Sequence, residues 1–259
     1  FGEQKAKLLF SSNFDIVSGA NVSHLRFVGL EVRGTNWESK YVMNMSKEGF
    51  LGEISFEDCF VTSFRGVVRQ KDAASTIDNY LINNSVLDSI NGYGVISVDN
   101  TAAKLNNFSI TNSSVNHTAY FVVSKNNFES LNVSDCSFAN TPNTGREILR
   151  FRESGQDNVT NGISILNSIF GHSWDQAEEE NYGCKGIDGL ENTNFDLINN
   201  YSTKNFSFTG SEIPGFPVAN YSNTQEDLWV DVDVNDFHFN DKGFSGRYDS
   251  GDTNFRDKL

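Results

Sequence analysis

The stretch Ile54-Ser-Phe-Glu-Asp-Cys-Phe-Val61 returns along the chain with unchanged internal spacing. Its copies are Tyr80 to Leu87, Phe108 to Val115, Leu131 to Phe138, Ile163 to Phe170 and Phe195 to Ser202, with a degenerate early copy from Leu25 to Val32. Each has apolar residues at alternate positions on either side of a polar pair rich in Asn and Asp. Period two interrupted in this way predicts a short strand, a bend and a second short strand. The second apolar position falls at Phe27, Phe56, Ile82, Ile110, Val133, Ile165 and Leu197, at steps of 29, 26, 28, 23, 32 and 32 residues. Repetition on that scale is the mark of a solenoid. Strands this short fit coils of a parallel β-helix stacked about 4.8 Å apart. The expected fold is all-β: a right-handed single-stranded parallel β-helix of about seven coils, capped at both ends. The general crossover rule supplies the hand.

Composition agrees with that fold. Twenty-two Phe and only two Met suit stacked aromatic and β-branched ladders. Asn gathers at the bends, where its side chain tolerates left-handed backbone. The three prolines are few, as strands that donate on both edges require. A formal charge of -14 argues against nucleic acid as a partner and against an anionic bilayer. No apolar run is long enough to span a membrane. Cys59 and Cys136 share one repeat position three coils apart, roughly 14 Å by coil spacing, beyond disulfide reach. They read as structural interior thiols, with Cys184 unpaired.

The repeat covers nearly all of the chain, so residues 1–259 read as one domain. Residues 1–23 form a cap or partial coil, 24–208 the repeated coils, and 209–259 a last coil and cap. A second sheet recurs at Tyr41–Met45, Val67–Gln70, Gly94–Val98, Ala119–Val123 and Glu147–Arg152. Coil six departs from the pattern after Phe170, where an acidic insertion carries Trp174 and Tyr182. In the tail, Leu228, Val230, Val232 and Val234 alternate with polar residues and predict a strand with one apolar face. That strand and the following phenylalanines are expected to cover the open end of the stack, as exposed edges demand. Asp252 is read as structural, accepting backbone N–H bonds or pairing with Arg247 or Arg256.

The strongest candidate site comes from the second sheet. Placing Met45, Gln70, Asn100, Lys125 and Glu153 at one strand end brings Arg69, Asp99, Ser124 and Arg152 into an outward row, with Arg65, Arg146 and Arg150 nearby. Arginine suits bidentate capture of a uronate carboxylate or sulfate. The competing reading is a set of structural ion pairs between coils, such as Arg69 with Asp99. An arginine acting as a base would need a lowered pKa, which its intrinsic value makes demanding. Trp174 with Tyr182, and Trp37 separately, are candidate stacking platforms for sugar rings. Asp175 and Glu178–Glu180 beside Trp174 would allow glycoside hydrolysis only if two carboxylates faced each other across a ring. Asp231 and Asp233, with Asp227 or Asp236, are weak candidates for Ca²⁺, the one cofactor considered. The four histidines lack zinc-binding spacing.

The coil motif at Ile54–Val61 and Leu131–Phe138, with the closing Gly251-Asp-Thr-Asn-Phe-Arg256, resembles a family of β-helical domains of unassigned function. Such domains occur in secreted or lipid-anchored surface proteins of Bacteroidetes, often behind fibronectin type III-like domains and near genes for polysaccharide use. Members commonly end in Gly-Asp-Pro-Arg-Trp. Gly251 and Asp252 match, whereas Thr253, Asn254 and Phe255 depart. More distantly the chain is similar to pectate lyase and chondroitinase B-like β-helix enzymes, though none of their catalytic residues maps onto a position here. The resemblance implies an exported, lipid-anchored monomer at the cell surface or in the periplasm. It also implies a preceding domain in the same chain. The expected function is non-catalytic carbohydrate binding, with a polysaccharide or oligosaccharide as partner. A lyase or hydrolase acting on an acidic glycan, and a structural spacer, are the alternatives.

Overall fold

A computed structural model describes residues 5–72 and 74–258; residues 1–4 of the expected N-terminal cap lie outside them. The chain winds as a right-handed parallel β-solenoid. The repeat register holds residue for residue. Phe27 lies beside Phe56, Phe56 beside Ile82, and Ile82 beside Ile110. Val133 then joins Ile110 to Ile165, and Leu197 closes the column.

The bend explains why the polar pair recurs. Asp58, Asn84, Asn112, Asp135, Asn167 and Asn199 all adopt positive φ, between 46° and 57°, a region Asn and Asp enter at least cost among non-glycine residues. The next residue points inward in every coil, giving a buried column of Cys59, Ser85, Ser113, Cys136, Ser168 and Asn200. Its members satisfy one another. The N–H of Cys59 donates to Ser85 Oγ at 3.0 Å, and that of Ser85 to Ser113 Oγ at 3.1 Å. Farther down, Cys136 N–H donates to Ser168 Oγ at 3.2 Å. Each Ser hydroxyl also donates to the carbonyl two residues earlier, as in Ser113 to Thr111 at 2.6 Å. The bend thus leaves little backbone unpaired in the interior. Beside it runs an aromatic ladder, including Phe27 on Phe56 at 4.9 Å and Phe138 on Phe170 at 4.4 Å, both stacked.

The C-terminal third corrects two expectations. Leu228 to Val234 is not one alternating strand. Gln225–Leu228 is a short α-helix, Trp229–Asp231 a strand and Val232–Val234 a 3-10 turn. Asn235 at φ 61° reverses the chain, so Leu228 and Trp229 are buried together while Val230 and Val234 are exposed. Nor does this segment cover the end of the stack. Ile213 and Phe216 do so, packing into the main core with Phe206 and Phe208 against it; Phe216 meets Phe170 edge-on at 4.9 Å. The tail instead climbs back along the flank, where a second apolar cluster joins Leu228, Trp229, Phe237, Phe239 and Phe255 to Ala139 and Ile169 of the coils.

Candidate functional site

The second-sheet strands set out the first site. In register, Asn44 lies beside Arg69, Arg69 beside Ser97, Ser97 beside Val123, and Val123 beside Arg150. Gln70 pairs with Val98, Val98 with Ser124, and Ser124 with Phe151. The proposed alignment on Asn100, Lys125 and Glu153 is therefore displaced by one or two residues. Ser124 consequently is fully buried, its hydroxyl donating to the Asn126 carbonyl at 2.6 Å. It takes no part in an outward row.

Arg69, Asp99, Lys125 and Arg152 nevertheless meet. Asp99 receives Arg69 Nη2, Lys125 Nζ at 3.1 Å and Arg152 Nη2 at 3.1 Å. Burial pushes the Asp99 carboxyl up, but the bonds from Arg69 and Lys125 outweigh it and hold the pKa low. Burial likewise pulls Arg69 down, and the Asp99 bond together with the charges of Tyr41, Tyr93 and Asp99 more than reverses this, so its pKa is raised. That is the opposite of what a basic arginine requires. Arg150 engages Glu147 and Asp188 at 3.6 and 3.4 Å rather than Asp99.

Tyrosines complete this face. Arg69 lies over Tyr93 at 4.4 Å and Tyr41 at 5.5 Å. Arg65 rests on Tyr93 at 4.7 Å, and Arg146 on Tyr120 at 5.5 Å. Neither Arg65 nor Arg146 has a carboxylate partner among the described residues. Gly94 makes the packing possible: its φ is +66°, and a Cβ there would stand 2.2 Å from the Tyr120 carbonyl oxygen. A hollow of about 210 Å³ lies between Tyr93, Tyr120, Ser97, Arg150 and Arg152. As site residues the tyrosines escaped the sequence reading, although Tyr41 and Tyr120 each stand directly before a second-sheet valine or phenylalanine and could have been aligned on that basis; Tyr93, followed by Gly94, could not.

The insertion forms the second feature. Trp37 and Trp174, from opposite ends of the repeat, approach to 6.2 Å between ring centroids. A groove of about 620 Å³ runs between Gly34–Glu38, Ser63, Ser89 and Trp174. Tyr182 does not join Trp37; it packs against His172, with ring centroids 4.1 Å apart and planes tilted by 35°. Both Tyr182 and Trp174 line a separate cleft against the tail, together with Asp175, Glu178, Glu180 and Glu226.

The remaining candidates have structural surroundings. Asp231 accepts the N–H of Asp233 at 3.1 Å, and no three metal-binding side chains assemble among the described residues. Asp252 is 1% exposed; it accepts from Ser114 Oγ at 2.8 Å, and from Asn254 N–H at 2.9 Å and Nδ2 at 2.8 Å. Its expected arginine partners face elsewhere. Arg256 pairs with Asp135 at 2.6 Å, and Arg247 with Asp257 at 3.4 Å. Cys59, Cys136 and Cys184 are all reduced and buried, and burial raises the thiol pKa of each.

The architecture defines the class: a parallel β-solenoid whose outward second sheet carries an arginine–tyrosine face. Residues 2–118 match the model of a family described as a domain of unknown function (DUF4957). The match spans the early coils, including Arg65, Arg69, Tyr93 and Asp99, and ends before Tyr120. No curated protein and no solved structure matches the chain. No helix among the described residues is long and apolar enough to cross a membrane.

Proposed function

We propose that this protein is a non-catalytic carbohydrate-binding solenoid that holds an acidic polysaccharide across the arginine–tyrosine face. The observation that carries the reading is the state of Arg65 and Arg146. In a chain with 34 acidic and 20 basic side chains, both lack a carboxylate among the described residues and stand over tyrosine rings, at 4.7 and 5.5 Å from the ring centroids. A guanidinium held this way keeps its N–H fork free for a carboxylate or sulfate. Much of the entropy cost of ordering it is already met in the free protein. The Trp37–Trp174 groove supplies apolar ring faces, and Ser63 on its wall is two residues from Arg65.

The non-catalytic part of the proposal draws support from Lys125, the lysine bonded to Asp99, which is committed as a donor. Lys125 donates to both the Asp99 carboxylate and its carbonyl, each at 3.1 Å. The exported, surface-anchored setting and a polysaccharide-use role belong to the proposal through the sequence resemblance. An array of uronate-bearing, sulfated and neutral glycans tests it. Selective retention of the anionic glycans is expected, and retention of none by folded protein would favour a structural spacer. Release of unsaturated uronate products from pectate, alginate or chondroitin would replace binding with lyase chemistry.

A further inference from the structure

Ser97 differs from the other buried serines. Among the described residues each of the others has a side-chain hydrogen bond, as Ser85, Ser113, Ser124 and Ser168 do to nearby carbonyls. Ser97 is 2% exposed and has none, and a buried hydroxyl without a partner is costly. Its neighbours fix its direction. Ile96 and Val98 on either side both point into the main core, so Ser97 projects from the opposite face of the strand. In register it stands between Arg69 and Val123, and Val123 packs with Tyr120 outside the main core. On that side Ser97 lines the hollow of about 210 Å³. Its hydroxyl is not among the unpaired atoms sealed from solvent, so a molecule in the hollow can reach it.

We propose that this hollow is an anchoring subsite, which takes one pyranose unit bearing a carboxylate or a sulfate. The inference rests on the acidic-glycan reading and assigns one unit of that glycan to a defined place on the face.

Arg150 and Arg152 supply the charge. Arg150 makes its side-chain hydrogen bond from Nε, to Asp188 at 3.4 Å, and Arg152 from Nη2, to Asp99 at 3.1 Å. Each guanidinium is therefore held in place with N–H groups to spare, and part of the cost of ordering it is met before a ligand arrives. No carboxylate lines the hollow among the described residues. Tyr93 and Tyr120 form its wall, and neither hydroxyl has a partner among those residues. A bare anion would use the arginines alone. The Ser97 hydroxyl and the two phenols, each able to donate and accept, match the hydroxyls of a sugar ring. The hollow is smaller than the roughly 300–1,000 Å³ of pockets that enclose drug-sized ligands. It therefore holds a single unit and leaves the neighbouring units of the chain to Arg65 and Arg146.

The test is a chemical-shift titration of the full chain with galacturonate, its methyl ester, a sulfated glucose and inorganic sulfate. Tighter binding of galacturonate assigns a uronate, and tighter binding of the sulfated glucose a sulfated sugar. The favoured one is expected to bind at least about tenfold more tightly than the ester or inorganic sulfate. Ser97→Ala removes the free hydroxyl and no internal bond, and should weaken it by about threefold or more. Gly92→Phe sets a ring at the rim, where a Cβ meets nothing within 4 Å, and should weaken it by about tenfold or more. Both variants should keep the parent melting temperature. Equal binding of the ester or of inorganic sulfate, or full binding by both variants, would overturn the proposal. Polygalacturonate and a sulfated dextran separate it from the reading on which it rests. Binding of either polymer without either charged monosaccharide would remove the subsite and leave the surface, whereas binding of neither polymer would remove both.

Discussion

At the scale of single residues, the buried carboxylate of Asp252 and the half-buried one of Asp99 behave in opposite ways. Burial pushes Asp252 up to about 6 from an ordinary 3.8, although Asn254 and Ser114 bond its ionised form. The folded state therefore binds more protons than the unfolded state between these values. The contribution is fully present below about 3.8 and lost as pH rises through about 6. Chemical denaturation should show a loss of about 2 kcal/mol between pH 4.5 and pH 7 from this group, and Asp252→Asn should flatten that slope. An unchanged slope in the variant would show that Asp252 titrates normally. Asp99 has the reverse sign, its pKa being lowered in the fold, so it stabilises above the ordinary carboxylate range and fails only in stronger acid. Its removal leaves Arg69, Lys125 and Arg152 crowded together. Asp99→Ala is expected to cost ~2–3 kcal/mol, measurable as a lower urea midpoint with unchanged slope. A loss below ~0.5 kcal/mol would mean that solvent already screens the cluster.

At the scale of elements, the bend column is the part most sensitive to chemistry and least to size. Ser113→Ala removes the acceptor of the buried Ser85 N–H, with an expected cost of ~1–3 kcal/mol. Cys136→Ser restores the residue that neighbouring coils use at the same position and should cost less than ~1 kcal/mol. Equal losses in urea denaturation would show that the column acts by packing alone. The first-sheet register was legible because one face alternates and the positive-φ Asn or Asp fixes the phase. The second sheet offers no such phase. Val67 and Val68, Val95 and Ile96, and Ile148 and Leu149 are buried in consecutive pairs, so period two cannot choose between neighbours. A register shift between Phe64 and Gly66 against the longer Ile90–Gly94 segment adds to the ambiguity. The tail misled for another reason. Its alternating valines look like a strand, but the Asn235 reversal and the burial of Trp229 against the coil flank are tertiary. Because Ile213 and Phe216 close the stack, deletion of residues 218–259 should expose the flank without unravelling the coils. Retained β-sheet circular dichroism with new binding of a hydrophobic dye is the expected result, and loss of the β signal would contradict it.

At the scale of the molecule, charge is segregated. A chain of net charge -14 gathers Arg65, Arg69, Arg146, Arg150 and Arg152 on one outward sheet and lines the tail cleft with carboxylates, among them Asp175, Glu178, Glu180 and Asp233. The candidate arginines were legible in the sequence as a group on the second sheet, though not in their register, as was the competing Arg69–Asp99 pair. Which guanidinium stays free was not, because that depends on where Asp99, Glu147 and Asp188 fall across coils. The approach of Trp37 to Trp174 was equally hidden, since the insertion alone brings them together. The most direct test of an acidic-glycan surface is titration of polygalacturonate into the intact protein and into Arg65→Ala with Arg146→Ala, both verified by melting. Saturable binding that weakens by about tenfold or more in the double variant is predicted; equal affinity of the two proteins, or no binding to either, would contradict the account.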